Sequence, residues 1–245
     1  MRLHHVTDTH LVAAATGALR GQPTLPSFVS ALQDAACHPA ADAVLLTGDI
    51  VHDDPGGYRH VRELFVDSPV PVFVVPGNHD DAAALAAACG TAPFTGPGFH
   101  RCGHWHVAML DSQAPGRVEG ELGPARLAAL ATALAGTPDA PWLLVMHHPP
   151  VPLGSAWLDA IGLVDAADFW ELVAAHPQVR GVLWGHAHQA YDGWRGPVRL
   201  MGTPSTCLQF LPHSDDFAID TRGPGWRWLE LRDDGAIETA VEWVP

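Results

Sequence analysis

The sequence predicts an α/β fold, and two observations support this prediction. Apolar runs typical of buried strands alternate with segments typical of helices as far as Trp184. Five of these apolar runs end at a turn that contains aspartate, asparagine or histidine. Because ligands bind at the carboxyl ends of the strands in open α/β sheets, we expect these polar side chains to meet along one edge.

The composition of the 245-residue chain indicates a packed globular protein, which we expect to form a single domain over residues 1–245. Hydrophobic residues make up 47% of the chain and charged residues only 16%. The net charge of −14 argues against nucleic acid as a partner, since binding to its phosphates needs a basic surface. An acidic chain can still bind an anion where metal ions supply positive charge.

The sequence gives no reason to expect a membrane span or secretion. It contains no run of about eighteen apolar residues. Residues 1–5 lead directly into a strand pattern and leave no room for a signal peptide, so we expect a cytoplasmic protein. The cysteines lack the Cys-x-x-Cys spacing and are expected to be buried free thiols rather than disulfides or zinc ligands. They are Cys37, Cys89, Cys102 and Cys207.

The first strand is predicted over residues 3–7 and ends just before Asp8 and His10. Two residues apart in an extended segment, these side chains would point the same way, as a pair of metal ligands would. A plain surface turn is the alternative, since aspartate is common in turns. A helix is predicted next, with Ser27 as its N-cap and its end near Cys37.

The second strand, over residues 43–47, ends in Gly48 and Asp49. Glycine lets the backbone turn sharply, so that Asp49 projects from the carboxyl end of the strand. We expect His52 and Asp54, which follow, to lie in a solvated loop. Asp53 between them is a candidate for orienting a ligand or a catalytic histidine.

The third strand, over residues 70–75, leads into a turn that contains Asn78, His79 and Asp80. An amide oxygen is a weak metal ligand, so Asn78 makes sense as one only where stronger ligands converge on it. His79 follows directly and is placed to give a proton or a hydrogen bond to a phosphate or to its leaving group. A purely structural histidine is the alternative interpretation.

Two later strands end in histidines. Residues 142–146 lead into His147 and His148, and residues 179–184 lead into Gly185 and then His186 and His188. The spacing of His186 and His188 would put both imidazoles on one side of an extended segment, which indicates a metal site.

The other segments carry less functional information. Residues 91–103 are predicted to be irregular, and a strand over 105–110 follows. After Tyr191 we expect a second, antiparallel sheet. Its predicted strands cover residues 198–201, 217–220, 226–231 and 237–243. Further helices are predicted over residues 58–66, 81–89, 124–135 and 165–175. The histidines interpreted as structural are His100, His104 and His106.

The strand ends together supply carboxylate, imidazole and amide ligands without a thiolate. This set favours divalent iron or manganese, with zinc as an alternative, over magnesium alone. There are too many candidates for one tetrahedral site, but enough for two metal ions if Asp49 bridges them. Two metal ions suit in-line displacement at phosphorus. The candidate ligands are Asp8, His10, Asp49, Asn78, His147, His186 and His188.

These motifs, in this order, resemble those of the calcineurin-like metallophosphoesterase superfamily. They are Asp8-x-His10, Gly48-Asp49, Gly77-Asn78-His79-Asp80, His147 and Gly185-His186-x-His188. The resemblance implies a four-layer αββα sandwich, in which helices flank two mixed β-sheets.

A narrower resemblance is to the bacterial class III cyclic-nucleotide phosphodiesterases. It rests on the segments 7–11, 147–150, 154–159, 185–189, 204–210 and 224–227. It implies that 3′,5′-cyclic AMP or a related cyclic nucleotide is hydrolysed to the nucleoside 5′-monophosphate by a metal-bridging hydroxide, while His79 assists departure of the 3′ oxygen.

The same resemblance distributes the residues over the site. The first metal ion would take Asp8, His10, Asp49 and His188, and the second would take Asp49, Asn78, His147 and His186. The substrate-binding residues would be His10, Asp49, Asn78, His79 and His188.

Several alternatives stay open on the sequence. The substrate could be another diester, such as a glycerophosphodiester, or a nucleotide-sugar pyrophosphate, and a non-catalytic scaffold is a third hypothesis. The Gly-Asp-x-x-Asp-Arg-Gly motif of the superfamily's protein phosphatases is missing, which argues against phosphoprotein substrates and leaves Asp53 and Asp80 as candidate partners of His79.

The oligomeric state is open as well. Because class III relatives are often oligomeric, a homo-oligomer is one expectation, and it would use tryptophans near the C-terminus. The alternative is that these tryptophans belong to the core. They are Trp226, Trp228 and Trp243.

Overall fold

Two six-stranded mixed β-sheets stack face to face in the computed structural model, which describes residues 1–244. In chain order the strands are β1 (Arg2–Val6), β2 (Ala18–Leu19), β3 (Gln22–Pro23), β4 (Ala43–Thr47), β5 (Val72–Val75), β6 (Phe94–Thr95), β7 (Gly98–Cys102), β8 (Trp105–Met109), β9 (Trp142–Val145), β10 (Val179–Trp184), β11 (Tyr191–Arg195), β12 (Val198–Gly202), β13 (Gly225–Leu231) and β14 (Ile237–Trp243). The α-helices are α1 (Thr24–Ala36), α2 (Tyr58–Phe65), α3 (Ala82–Ala88), α4 (Gly123–Ala135), α5 (Ala156–Asp159) and α6 (Ala166–Ala174).

The first sheet has the order β14-β13-β1-β4-β5-β6, and the second has the order β11-β12-β10-β9-β8-β7. In the first, β1, β4, β5 and β6 are parallel, and β13 and β14 are antiparallel to their neighbours. In the second, β8, β9, β10 and β12 are parallel, with antiparallel strands at both edges. Parallel strands turn their carboxyl ends the same way, so the loops after them gather at one end of each sheet.

Side chains that alternate along the strands build three apolar layers. Leu45 of β4 and Leu183 of β10 belong to the layer between the sheets, whereas Leu46 and Val182 beside them pack in the layers under the helices. This alternation follows from the two-residue period of a strand. The four-layer αββα sandwich implied by the resemblance is therefore confirmed.

Two local predictions are wrong. Helix α1 begins at Thr24, so Ser27 is not its N-cap but lies inside it, buried, where its hydroxyl accepts a hydrogen bond from Gln22 Nε2 at 2.6 Å. Residues 91–103 are not irregular, because β6 pairs with β5 and β7 pairs with β8. Their proline and glycine residues lie beside short edge strands, where such residues are tolerated.

The C-terminal strands do not form a separate antiparallel sheet, contrary to prediction. Strands β13 and β14 extend the first sheet beyond β1, and β11 and β12 extend the second beyond β10. Each pair thereby satisfies backbone groups of a strand that would otherwise form an edge. Residues 217–220 are not a strand, since only Ile219 forms an isolated bridge, to Phe210.

The C-terminal motif also ties the two sheets together. The buried Arg227 of β13 donates hydrogen bonds to the carbonyl oxygens of Tyr191 and Gly202 in the second sheet, at 2.9 and 3.0 Å. Trp226 is fully buried and donates to Asp34, so it belongs to the core. Trp226 is therefore not available for an interface, which leaves two of the three tryptophans considered for one.

The remaining structural expectations concern the cysteines and the absence of a membrane-spanning helix. All four cysteines are free, as predicted, but only Cys89 and Cys207 are buried, since Cys102 is half-buried and Cys37 is exposed. None of the helices within residues 1–244 has the length and apolar character needed to cross a membrane.

We predict that Leu183→Ala lowers the free energy of unfolding by about 2–5 kcal/mol, because it leaves a cavity between the sheets. Leu183 is fully buried there. Urea denaturation of the metal-free protein measures the change. Leu64→Ala is the control, since Leu64 lies exposed on α2 and its loss should cost no more than about 0.5 kcal/mol. Equal losses for the two variants would contradict this account of the core.

Candidate active site

Left-handed backbone turns present most of the predicted ligands. Asp8, His10, Asp49, His186 and His188 have φ angles between 46° and 60°, in loops that follow β1, β4 and β10. Non-glycine residues rarely adopt this conformation, and it persists only where the surroundings hold it. The expectation that the pair Asp8 and His10 and the pair His186 and His188 lie in extended segments is therefore wrong, because the backbone turns after each strand ends.

A first group of ligand atoms joins both sheets. His188 Nε2 lies 3.2 Å from Asp8 Oδ1 and 3.0 Å from His10 Nε2. His10 Nε2 is in turn 3.9 Å from Asp49 Oδ2. All four side chains are buried. These atoms are close enough for one metal ion to contact Asp8, His10 and His188 together.

A second group lies on the other side of Asp49. His147 Nε2 is 3.4 Å from Asp49 Oδ1 and 3.3 Å from His186 Nδ1. The side-chain oxygen of Asn78 is buried and has no hydrogen-bond partner within residues 1–244. The two carboxylate oxygens of Asp49 therefore face different groups. His186 and His188 lie in different groups as well, so the expectation that an extended segment would put both imidazoles on one side is wrong.

Backbone carbonyls hold two of the imidazoles in orientation. His147 Nδ1–H donates to Thr47 O at 2.8 Å, and His188 Nδ1–H donates to Leu208 O at 2.7 Å. Each contact leaves the Nε2 atom directed at the ligand group. Metal-binding histidines are usually fixed by this kind of second hydrogen bond.

Two buried carboxylates at the site have no lysine or arginine as an ion-pair partner within residues 1–244. Within residues 1–244, Asp8 and Asp49 approach only imidazoles as ion-pair partners. Burial lowers the pKa of His10 and of His186 to about 3, so both stay neutral and keep a lone pair. Burial alone would also lower the pKa of His147, but the Asp49 carboxylate raises it to about 9.

This electrostatic balance fits bound cations. Buried carboxylates need positive charge, and neutral imidazoles cannot provide it. A proton on His147 compensates only part of the charge, whereas divalent cations would compensate it and also use the free lone pairs. The buried oxygen of Asn78, which has no hydrogen-bond partner within residues 1–244, is available as a further donor. The residues present therefore fit divalent metal ions.

Two glycines allow the ligand loops to approach each other closely. A Cβ atom on Gly77 would lie 2.3 Å from Asp49 Oδ1 and 2.7 Å from His147 Nε2. A Cβ atom on Gly185 would lie 2.1 Å from Thr7 Oγ1 and 2.6 Å from Asp8 Oδ2. Real atoms do not approach this closely, so any side chain at these positions would displace the carboxylates.

Asp53, rather than Asp80, lies beside His79. The Nδ1 atom of His79 is 3.2 Å from Asp53 Oδ1. Asp80 instead accepts hydrogen bonds from the backbone N–H groups of Gly77, Ile50 and Val51. It thereby joins the loop after β4 to the loop after β5.

Two residues expected in a solvated loop have structural contacts. His52 is half-buried, with Nδ1 3.1 Å from His10 Nδ1 and its ring centroid 4.4 Å from that of His79. Asp54 accepts hydrogen bonds from the backbone of Ala13 and Gly56. The expectation of a solvated loop is wrong for both, because the loop folds back over the segment after β1. The only sequence signal that this loop contacts the site was its nearness to Asp49 in the chain.

A buried hydrogen-bond chain behind Asp8 carried no sequence signal. Thr7 Oγ1 donates to Asp8 Oδ2 at 2.8 Å, and Thr47 Oγ1 lies 3.0 Å from Thr7 Oγ1. His5 Nε2 is 2.6 Å from Thr47 Oγ1, and its Nδ1 is 2.6 Å from Thr203 Oγ1. Burial lowers the pKa of His5 to about 3, so this imidazole acts as a neutral link that helps to orient Asp8.

Two further histidines have structural contacts, whereas His104 is exposed. His148, adjacent to His147, is buried, with Nδ1 2.8 Å from Ser112 Oγ and Nε2 3.1 Å from Val118 O. Neither nitrogen is free to bind a metal ion. His106 stacks on Trp142 at 4.8 Å between centroids.

Comparison with known proteins agrees with this geometry. The family model for calcineurin-like phosphoesterases matches residues 1–190. The chain is 38% identical to the 3′,5′-cyclic adenosine monophosphate phosphodiesterase CpdA of Pseudomonas aeruginosa, over 99% of this chain and 89% of that protein. It is also 38% identical to CpdA of Vibrio vulnificus, with the same coverage. The crystal structure of a dimetal phosphatase from Danio rerio has the same fold, with a TM-score of 0.67, 13% identity, and coverage of 100% of this chain and 99% of that one.

We predict that Gly77→Ala lowers metal content after dialysis against trace metal at least 10-fold while the far-UV circular dichroism stays unchanged. The reason is that the new methyl group would displace Asp49 and His147, which serve both ligand groups. Gly96→Ala is the matched control, since no atom lies within 4 Å of a Cβ there. Full metal content in Gly77→Ala would contradict the assignment of these loops to a metal site.

Proposed function

The chain belongs to the calcineurin-like phosphoesterase family, and we propose that it is a metal-dependent phosphodiesterase that hydrolyses 3′,5′-cyclic AMP to the nucleoside 5′-monophosphate. The observation that carries the proposal is the pair of ligand groups that share Asp49. The near full-length similarity to curated cyclic AMP phosphodiesterases supports the choice of substrate.

Two divalent ions would be held by this chain. We assign Asp8, His10, Asp49 and His188 to one, and Asp49, Asn78, His147 and His186 to the other. The mixture of imidazole, carboxylate and amide donors favours iron or manganese, with zinc as the alternative. When bound, the ions supply positive charge for the phosphate and lower the pKa of a water molecule, so that a nucleophile exists near neutral pH.

We assign proton donation to His79. Its imidazole is partly exposed beside His10 and His52, with ring centroids 5.4 and 4.4 Å away. Asp53 accepts the Nδ1–H hydrogen bond and stabilises the doubly protonated imidazolium, which is the form that carries a proton on Nε2 for the substrate. The 3′ oxygen of a cyclic nucleotide is a poor leaving group, so a proton donated from Nε2 assists its departure. We assign substrate contacts to His10, Asp49, Asn78, His79 and His188.

The wider biology stays a prediction. Four free cysteines are consistent with the reducing cytoplasm proposed from the sequence. The acidic charge remains the argument against a nucleic-acid partner. A homo-oligomer is a further proposal, for which Trp228 and Trp243 are the remaining candidates from the sequence.

The direct test measures turnover of 3′,5′-cyclic AMP by protein loaded with iron or manganese. We expect adenosine 5′-monophosphate as the product, and no 3′-monophosphate, when the products are separated by chromatography. Asp49→Asn is the control that removes the shared carboxylate and its charge and should abolish the activity. Absence of turnover by the loaded wild type, together with hydrolysis of a glycerophosphodiester or a nucleotide sugar, would reject cyclic AMP as the substrate.

We predict that His79→Ala lowers kcat on cyclic AMP by about 10²–10⁴-fold, because proton donation to the 3′ oxygen is lost. The loss should be much smaller with bis(p-nitrophenyl) phosphate, since p-nitrophenolate leaves without a proton. Steady-state kinetics at equal metal content compare the two substrates. His104→Ala, an exposed histidine on the turn between β7 and β8, is the control. Equal losses on both substrates would argue that His79 acts through the metal groups instead.

A further inference from the structure

An aromatic surface begins at one of the proposed metal ligands. The ring of Phe210 stacks on His188, with 4.1 Å between centroids and 9° between planes. Trp157 packs edge-on against Phe210 at 5.0 Å, and Phe217 does so at 5.4 Å. Trp157 and Phe217 also contact each other, at 5.3 Å. We call Trp157, Phe210 and Phe217 the aromatic wall.

The backbone holds the aromatic wall in place. Phe210 N–H donates to the carbonyl oxygen of the proposed ligand His188 at 3.3 Å. Across the loop, Leu211 N–H donates to Ala218 O at 2.8 Å, and Phe210 forms a bridge with Ile219. The wall is therefore built on the same backbone that positions the imidazole, and its distance from the ligand groups is fixed.

The aromatic wall is open to solvent at its outer end, where a positive charge faces it. Phe217 is 42% exposed, while Phe210 and Trp157 are half-buried. The exposed Arg20, at the turn between β2 and β3, places its guanidinium carbon 4.5 Å from the centre of the Phe217 ring. Such a contact between a guanidinium and an aromatic face is favourable. Arg20 and the wall thus belong to one surface beside the ligand groups.

We propose that the aromatic wall and Arg20 bind the nucleobase of the substrate, an inference that rests on the proposed function because it assumes a nucleotide phosphate at the ligand groups. In a nucleotide one ribose separates the phosphate from the base. The aromatic wall begins at Phe210, whose ring stacks directly on the proposed ligand His188. Flat bases stack favourably on an aromatic side chain, whereas an aliphatic alcohol offers no face to stack. The guanidinium also attracts an anionic nucleotide to a chain of net charge −14.

This assignment gives the substrate two recognition elements. The ligand groups recognise any phosphodiester, and the aromatic wall selects diesters that carry a base. It therefore favours a nucleotide over a glycerophosphodiester, which the ligand groups alone do not separate. Because stacking is tolerant of base identity, the wall accounts for a preference for nucleotides rather than for adenine over guanine.

The test compares adenosine 5′-monophosphate with ribose 5-phosphate, which differ only in the base. Calorimetric titration of the metal-loaded protein measures the binding of both, and steady-state kinetics measure KM and kcat for cyclic AMP. For Phe217→Ala we expect about 10-fold weaker binding of the monophosphate and a similar rise in KM. Binding of ribose 5-phosphate, metal content and kcat should stay within about 2-fold.

Two further variants sharpen the comparison. Phe99→Ala is the matched control, since Phe99 is 41% exposed on β7 at the edge of the second sheet, and neither ligand should bind differently. Phe210→Leu keeps an apolar side chain but removes the ring stacked on His188, so it should weaken monophosphate binding as Phe217→Ala does. Its Tm is measured so that unfolding is not mistaken for lost stacking.

The outcomes separate this inference from the proposed function. Turnover of cyclic AMP with unchanged binding and KM in both Phe217→Ala and Phe210→Leu would overturn the aromatic wall and leave the function standing. Wild-type protein that binds the two monophosphates equally would also overturn the wall. Absence of cyclic AMP turnover, with base-dependent binding that Phe217→Ala abolishes, would reject the function and support the wall.

Discussion

The structure depends on Asp49, a buried carboxylate shared between two groups of imidazoles that come from two different sheets. Burial of a carboxylate is costly where no lysine or arginine pairs with it, and here only the imidazoles of His10 and His147 lie within ion-pair distance of Asp49 among residues 1–244. The surrounding contacts reduce that cost only in part. The backbone N–H of His79 donates to one of its oxygens at 2.9 Å, and a bound cation would complete the charge balance.

Strain at the site is held by the rest of the fold. Left-handed residues at Asp8, Asp49 and His186 are unfavourable alone, and the close packing of the loops leaves no space for a side chain at Gly77. The apolar layers on both sides of the sheets make these conformations sustainable. Asp80 adds a local constraint, since its carboxylate binds the backbones of two ligand loops at once.

The geometry divides recognition of a nucleotide into two parts on neighbouring surfaces. Charged and polar ligand atoms lie buried at the carboxyl ends of the parallel strands, where the phosphate chemistry would take place. Aromatic side chains from the loop between β12 and β13 extend from His188 toward solvent. One segment thus contributes to both parts, because Leu208 fixes the imidazole of His188 and Phe210 stacks on it.

The sequence by itself determined which residues could bind metal ions and which family motifs they form, since strand ends, glycine turns and ligand types are local patterns. It also indicated the alternation of strands and helices. The family resemblance already divided His186 and His188 between two metal ions. Only the tertiary structure decided that Asp53 rather than Asp80 reaches His79 and that His52 packs against His10 and His79, because these contacts join segments far apart in the chain. The pairing of the C-terminal strands was decided in the same way. The strands β1 and β10, whose backbone hydrogen-bonding groups they satisfy, come from earlier parts of the chain, and the local sequence of the C-terminal strands does not identify them.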